Sequence, residues 1–176
     1  NTVRISAIME HSDINAGLLN RREPKNSNTA LMIAARYSHV ELVEFLLAKG
    51  VDVNHSDKHM RRTALMKAAS FGNIEVVKLL LAFRANINSF DKLGRTALTL
   101  AVSRGHRDVV RAILYDSDNH RRDGVDINQA ENHVGMTPLI IAVRYGHLDV
   151  TELLLSADAD ISQGFYGMTA LMCAFY

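Results

Sequence analysis

Cysteine is nearly absent from this 176-residue chain, and its single copy, Cys173, excludes an intramolecular disulfide framework. That scarcity fits a reducing compartment, cytoplasmic or nuclear. No apolar run approaches the roughly 20 residues that a helix needs to cross a bilayer. No signal-peptide pattern stands at the start. Charge of one sign is also missing: the net formal charge is +1, so the overall balance gives no pull toward nucleic acid or membrane. A glycine-rich phosphate loop, paired catalytic carboxylates and a nucleophile elbow are all lacking. With 48% apolar and 22% charged residues, the composition is that of an ordinary chain able to bury a substantial core.

What is present is a repeat. Its anchor is a threonine, a small residue, a leucine and a further residue: Thr29-Ala30-Leu31-Met32, Thr63-Ala64-Leu65-Met66, Thr96-Ala97-Leu98-Thr99, Thr137-Pro138-Leu139-Ile140 and Thr169-Ala170-Leu171-Met172. The threonines lie 34, 33, 41 and 32 residues apart. A fixed period of this size signals stacked repeats rather than one globular core. Thr is a competent N-cap, and Pro138 suits the first helical position, where a missing N–H is harmless. The pairs Ala34-Ala35, Ala68-Ala69, Ala101-Val102 and Ala142-Val143 predict a thin helix that a neighbour can approach closely. Ser38, Gly72, Gly105 and Gly146 end it. A second helix starts at His39, Asn73, His106 and His147, with Glu41, Glu75, Asp108 and Asp149 placed to suit its dipole. Its predicted buried stripe is Val43, Leu46 and Leu47; Val76, Leu79 and Leu80; Val109, Ala112 and Ile113; Val150, Leu153 and Leu154. Short runs follow, Asp52-Val53-Asn54, Asn86-Ile87-Asn88, Asp126-Ile127-Asn128 and Asp160-Ile161-Ser162, which read as extended segments entering a hairpin.

Helix, turn, helix and extended finger at this period resemble the ankyrin repeat, over nearly the whole chain. The resemblance implies an all-α solenoid of right-angled, L-shaped helix-turn-helix units with short β-hairpin fingers. One domain, 1–176, then holds repeats at 29–54, 63–88, 96–128 and 137–162, a partial unit over 1–15 ending in Asp13-Ile14-Asn15, and a truncated unit at 169–176. The chain departs from the family pattern in places. Met32, Met66, Thr99, Ile140 and Met172 replace the family histidine, so its hydrogen bond is expected to be lost. Arg84 and Asp158 stand where the second helix usually ends in glycine, which predicts left-handed backbone at a cost of about 1 kcal/mol or more. About six extra residues are counted before Thr29 and about seven after Tyr115, both reading as loops. Both ends read as severed, which predicts a segment of a longer protein.

The resemblance also implies a concave binding face, made by the residues just before the end of the first helix and by the finger turns. The helix positions are Arg36 and Tyr37, Ser70 and Phe71, Ser103 and Arg104, Arg144 and Tyr145. The finger positions are Lys58, His59, Arg61 and Arg62; Lys92, Leu93 and Arg95; His133 and Met136; Phe165 and Tyr166. Rings and arginine at one column, Tyr37, Phe71, Arg104 and Tyr145, are the residue types that carry interface energy. With Glu41, Glu44, Glu75, Asp108, Asp149 and Glu152 on the outer helix, the expectation is a basic front, an acidic back, and a partner segment with acidic and apolar side chains. A monomer is expected, with neither cofactor nor membrane insertion. The blander reading is that the rings cover neighbouring helices and the cations serve solubility.

Three functions remain in play: a non-catalytic scaffold, the targeting domain of a larger enzyme, and nucleic-acid binding by the basic front, which salt would weaken steeply. Fold alone does not choose among them. His55-Ser56-Asp57-Lys58-His59 has the residue types of a metal site but lacks the four ligands of structural zinc. Cys173 has no evident base partner and reads as a small buried hydrophobe. The segment 116–123 reads as a projecting loop or a solvated one. The resemblance further marks Asn54, Asn88 and Asn128 as positions hydroxylated in some family members.

Overall fold

A computed structural model describes residues 20, 27–131, 135–165 and 168–174. The predicted contacts His133 and Tyr166, the Phe165 side chain, and the unit assigned to 1–15 lie outside the described residues. The described chain is four helix pairs and the start of a fifth: α1 Ala30–Arg36 with α2 Val40–Ala48, α3 Ala64–Ser70 with α4 Ile74–Ala82, α5 Ala97–Val102 with α6 Arg107–Leu114, α7 Pro138–Arg144 with α8 Leu148–Ser156, and α9 Ala170–Cys173. First helices stack on first helices and second helices on second helices, in two layers.

Each first helix begins as its sequence dictates. The Thr29, Thr63, Thr96, Thr137 and Thr169 hydroxyls accept from the backbone N–H three residues on. Met32, Met66 and Ile140 replace the family histidine with buried apolar packing. Thr99 does not: its hydroxyl oxygen accepts from the Thr96 N–H at 2.8 Å and closes a capping box, so the hydrogen bond expected to be lost is kept there. The alanine pairs Ala34-Ala35 and Ala68-Ala69 are fully buried, as close helix approach requires.

The second helices bury more than the predicted stripe. Val77, Leu81, Val110 and Leu114 join the core, while Leu79, Ala112 and Leu153 are only half-buried. These inner second helices touch their own first helix and a second helix on either side, so a stripe drawn for one contact is too narrow. Both non-glycine ends are left-handed as expected, with φ +61° at Arg84 and +60° at Asp158.

The fingers form less sheet than expected. Among the described residues the only two-residue strands are β1 Gly164–Phe165 and β2 Met168–Thr169, with an isolated bridge between Ser56 and Thr63. The finger amides are claimed by side chains instead. Within a finger, Asp52, Asn86, Asp126 and Asp160 accept the N–H two residues ahead. Between fingers, Asn54 Oδ1 accepts from Asn86 N–H at 2.7 Å, Asn88 from Asp126 at 3.2 Å, and Asn128 from Asp160 at 2.9 Å. Asn20 does the same for Asp52 at 3.3 Å, and it stands nine residues before Thr29 as Asn54 stands nine before Thr63. Asn20 therefore acts as a finger asparagine toward the unit that begins at Thr29.

Neighbours also cap one another. Asn73 Nδ2 donates to Ala35 O at 2.7 Å and Arg36 O at 3.0 Å, at the open end of α1. The His106 and His147 rings occupy the same place one and two units on, lying against Gly72 and Gly105. The 116–123 segment is largely exposed, but two of its arginines are bonded to the fold. Arg122 Nε donates to Ala112 O and Tyr115 O at the end of α6, and Arg121 donates to Ala157 O at the end of α8. The insertion ties one second helix to the next.

Gly105 has φ +69°, and a Cβ there would sit 2.8 Å from His147 Nδ1; Gly146 has φ +71° and open space around it. Gly105→Ala is expected to cost about 2 kcal/mol or more and Gly146→Ala about 1 kcal/mol, because only the first adds a clash to the backbone strain. Urea unfolding of the two variants reads the difference; equal midpoints would show that the imidazole yields freely.

Candidate partner-binding face

The C-terminal ends of α1, α3, α5 and α7 place the helix contacts on one side of the stack. Arg36, Tyr37, Phe71, Arg104, Arg144 and Tyr145 are exposed there. Ser103 is half-buried, its hydroxyl donating to Leu100 O at 3.0 Å. Ser70 is buried and drops out of the surface set. The exposed groups touch across units. The Arg36 guanidinium carbon lies 5.0 Å from the Phe71 ring centroid and 5.4 Å from that of Tyr37. Arg104 lies 5.2 Å from the same Phe71 centroid and donates to Ser70 O at 2.6 Å. Three successive units thus meet around one ring.

The fingers divide the predicted cations into free and occupied. Lys58, His59, Arg61 and Lys92 are exposed, as is Leu93. Arg61 has φ +60° and lies 5.4 Å from the ring of Phe90, an exposed aromatic that the sequence reading passed over. Arg62 and Arg95 are half-buried and spent: both bind the fully buried Asp91 Oδ2, Arg62 Nε at 3.2 Å and Arg95 at 2.9 Å. Asp57 holds Lys67 Nζ at 2.9 Å in the same way. Met136 is buried, with Arg144 3.7 Å from its sulfur. Sequence reasoning named Asp57 only as a metal-ligand type and passed over Asp91 and Glu131, although the three form an acidic column five or six residues before Thr63, Thr96 and Thr137.

Burial alone would raise the Asp57 carboxyl, but the Met60 N–H and the Lys67 ammonium outweigh it and hold the group below the ordinary carboxylate range. Asp91 behaves alike: burial raises it, and the Arg95 side chain with the Arg95 and Leu93 amides more than reverses that. Glu131 goes the other way, because burial dominates and Asp91 adds to the rise while Arg95 opposes it. The two fully buried carboxylates of the face are therefore neutralised within the fold. On the back, Glu41, Glu44, Glu75, Asp108, Asp149 and Glu152 are exposed, with Lys78, Arg107 and Arg111 exposed among them, and Lys78 pairs with Glu75 at 3.1 Å.

Among the described residues no group of three or more His, Cys, Asp and Glu side chains is placed to hold a metal ion. His55 lies 3.7 Å from Asp52. No described helix is long and apolar enough to cross a membrane. The site offers guanidinium groups lying over exposed rings.

Comparison with known families gives two matches. Residues 55–128 and 121–176 match the family described as Ankyrin repeats (3 copies), and residues 26–58 match Ankyrin repeat. No curated protein matches the sequence.

Removing Asp91 leaves Arg62 and Arg95 without their buried partner, so Asp91→Ala should lower stability by about 2–4 kcal/mol in urea unfolding near neutral pH. The native carboxyl titrates below its ordinary value of 3.8. Its contribution is thus present above that value and lost as the pH falls through the lower native one. The gap between wild type and variant should narrow below about pH 4; a gap that stays constant in acid would deny the ion pairing its role.

Proposed function

The chain belongs to the ankyrin-repeat family, and we propose that it is a non-catalytic, monomeric scaffold that binds a segment of another protein along its basic-aromatic face. Ankyrin repeats generally serve as protein–protein interaction modules. One observation supports assigning that role to this face. Tyr37, Phe71 and Tyr145 remain 60%, 45% and 58% exposed, while Ala35, Ala69 and Ala142, in the helices whose ends they cap, are fully buried. Packing has been completed without these rings, and exposed rings beside arginine are what protein interfaces concentrate their energy in. Arg36, Arg61, Lys92 and Arg104, which no carboxylate pairs with among the described residues, favour an acidic partner segment, and the rings favour one that also carries apolar side chains.

The same cations are what a nucleic-acid reading would draw on. The two readings part in salt, because phosphate contacts release counterions and weaken steeply. Tyr37→Ala combined with Phe71→Ala should lower the melting temperature by no more than a few degrees and weaken a captured protein partner by about tenfold or more. A collapse in melting temperature would place the rings in the core, and binding that falls by orders of magnitude between low and moderate salt would favour nucleic acid.

A further inference from the structure

Two guanidinium groups on this face are held in place yet keep donors unspent. Arg36 and Arg104 come from units that are not neighbours, but both lie over Phe71, at 5.0 and 5.2 Å from its centroid, which keeps the two groups within about 10 Å of each other. Arg36 also contacts the Tyr37 ring, and Arg104 is fixed by its bond to Ser70 O. Among the described residues no carboxylate pairs with either, in contrast to Arg62 and Arg95, which are committed to Asp91. A guanidinium stacked on a ring presents its in-plane N–H donors at the edge, as a fork matched to a carboxylate. Because stacking has already ordered the two forks, little is lost in fixing them when a ligand arrives.

We infer that this face selects an extended partner segment bearing two carboxylate side chains two or three positions apart, one for each of Arg36 and Arg104. The inference rests on the reading of the face as a protein-binding surface. In an extended strand, side chains on one side recur every two residues, about 7 Å; in a polyproline II segment they recur every three, about 9 Å. Both fall within the bound of about 10 Å on the distance between the two guanidinium groups. Adjacent acids point to opposite sides of the segment, and acids six apart span about 20 Å and overshoot.

The test uses the intact 176-residue chain and fluorescein-labelled nine-residue peptides in a Ser/Leu/Gly background. Each carries two glutamates, at spacings of one, two, three or six. Anisotropy should show the two- and three-spaced peptides binding about tenfold tighter than the others, which have the same charge. The double variant Arg36→Lys/Arg104→Lys keeps both charges but loses both forks. It should bind all four peptides at the weaker level, with a melting temperature lowered by no more than a few degrees, because the Arg104 bond to Ser70 O is also lost. Equal affinity at all spacings, or a preference that survives the lysine variant, overturns the spacing rule. If equal binding is nonetheless lost in Tyr37→Ala/Phe71→Ala, the binding face stands and only the rule falls. Peptides that bind that variant as well as wild type, or not at all to either, remove the rule; tighter binding of a single-stranded oligouridine than of any peptide removes the protein-binding reading as well.

Discussion

The side-chain oxygen of each finger asparagine accepts the amide proton of the following finger, and much else in the structure depends on that bond. Asn20, Asn54, Asn88 and Asn128 each reach one unit ahead, to Asp52, Asn86, Asp126 and Asp160. A finger with few strand bonds leaves amides open, and in each described unit an asparagine of the preceding finger takes one of them up. The same dependence runs through the helix ends. The α1 carbonyls are met by Asn73, the Ser70 carbonyl by Arg104, and the Ala157 carbonyl by Arg121. Neighbours complete one another, so stability accumulates across interfaces rather than within units.

What belongs to a single unit was legible in the sequence. Threonine caps, helix ends and the left-handed positions of Arg84 and Asp158 are local matters, set by a few adjacent residues. What belongs to two units was not. The burial of Val77 and Val110 requires a second helix on the flank, which a one-helix periodicity does not contain. Asn20 is marked as a finger asparagine only by its bond to Asp52. The 116–123 segment reads as a loop by its polarity, yet its arginines are spent on carbonyls of two helices.

The candidate face was legible by column and not by role. Equivalent positions gave the rings and the cations, but counting cations overstated the charge that a ligand would meet. Arg62, Arg95 and Lys67 are answered by Asp91 and Asp57, whose carboxyls are drawn below their ordinary range by those partners and by backbone amides. Buried ion pairs of this kind fix the arrangement of a finger more than they add to stability. They also leave the remaining cations, on the exposed surface, as the ones that carry a field into solvent.

That division makes sense of the one break in the aromatic column, where Arg104 stands in line with Tyr37, Phe71 and Tyr145. A ring at this position would extend an apolar strip. Arginine instead lays a flat, weakly hydrated cation against the Phe71 ring and so keeps the stacked surface continuous while adding charge. Lysine would not do both, because its compact ammonium is strongly hydrated and has no plane to stack. The break therefore turns an unselective apolar strip into a surface with charge at fixed positions. Discrimination arises from such positions, because a ligand that leaves a stacked guanidinium unanswered loses the desolvation it spent without gaining a bond.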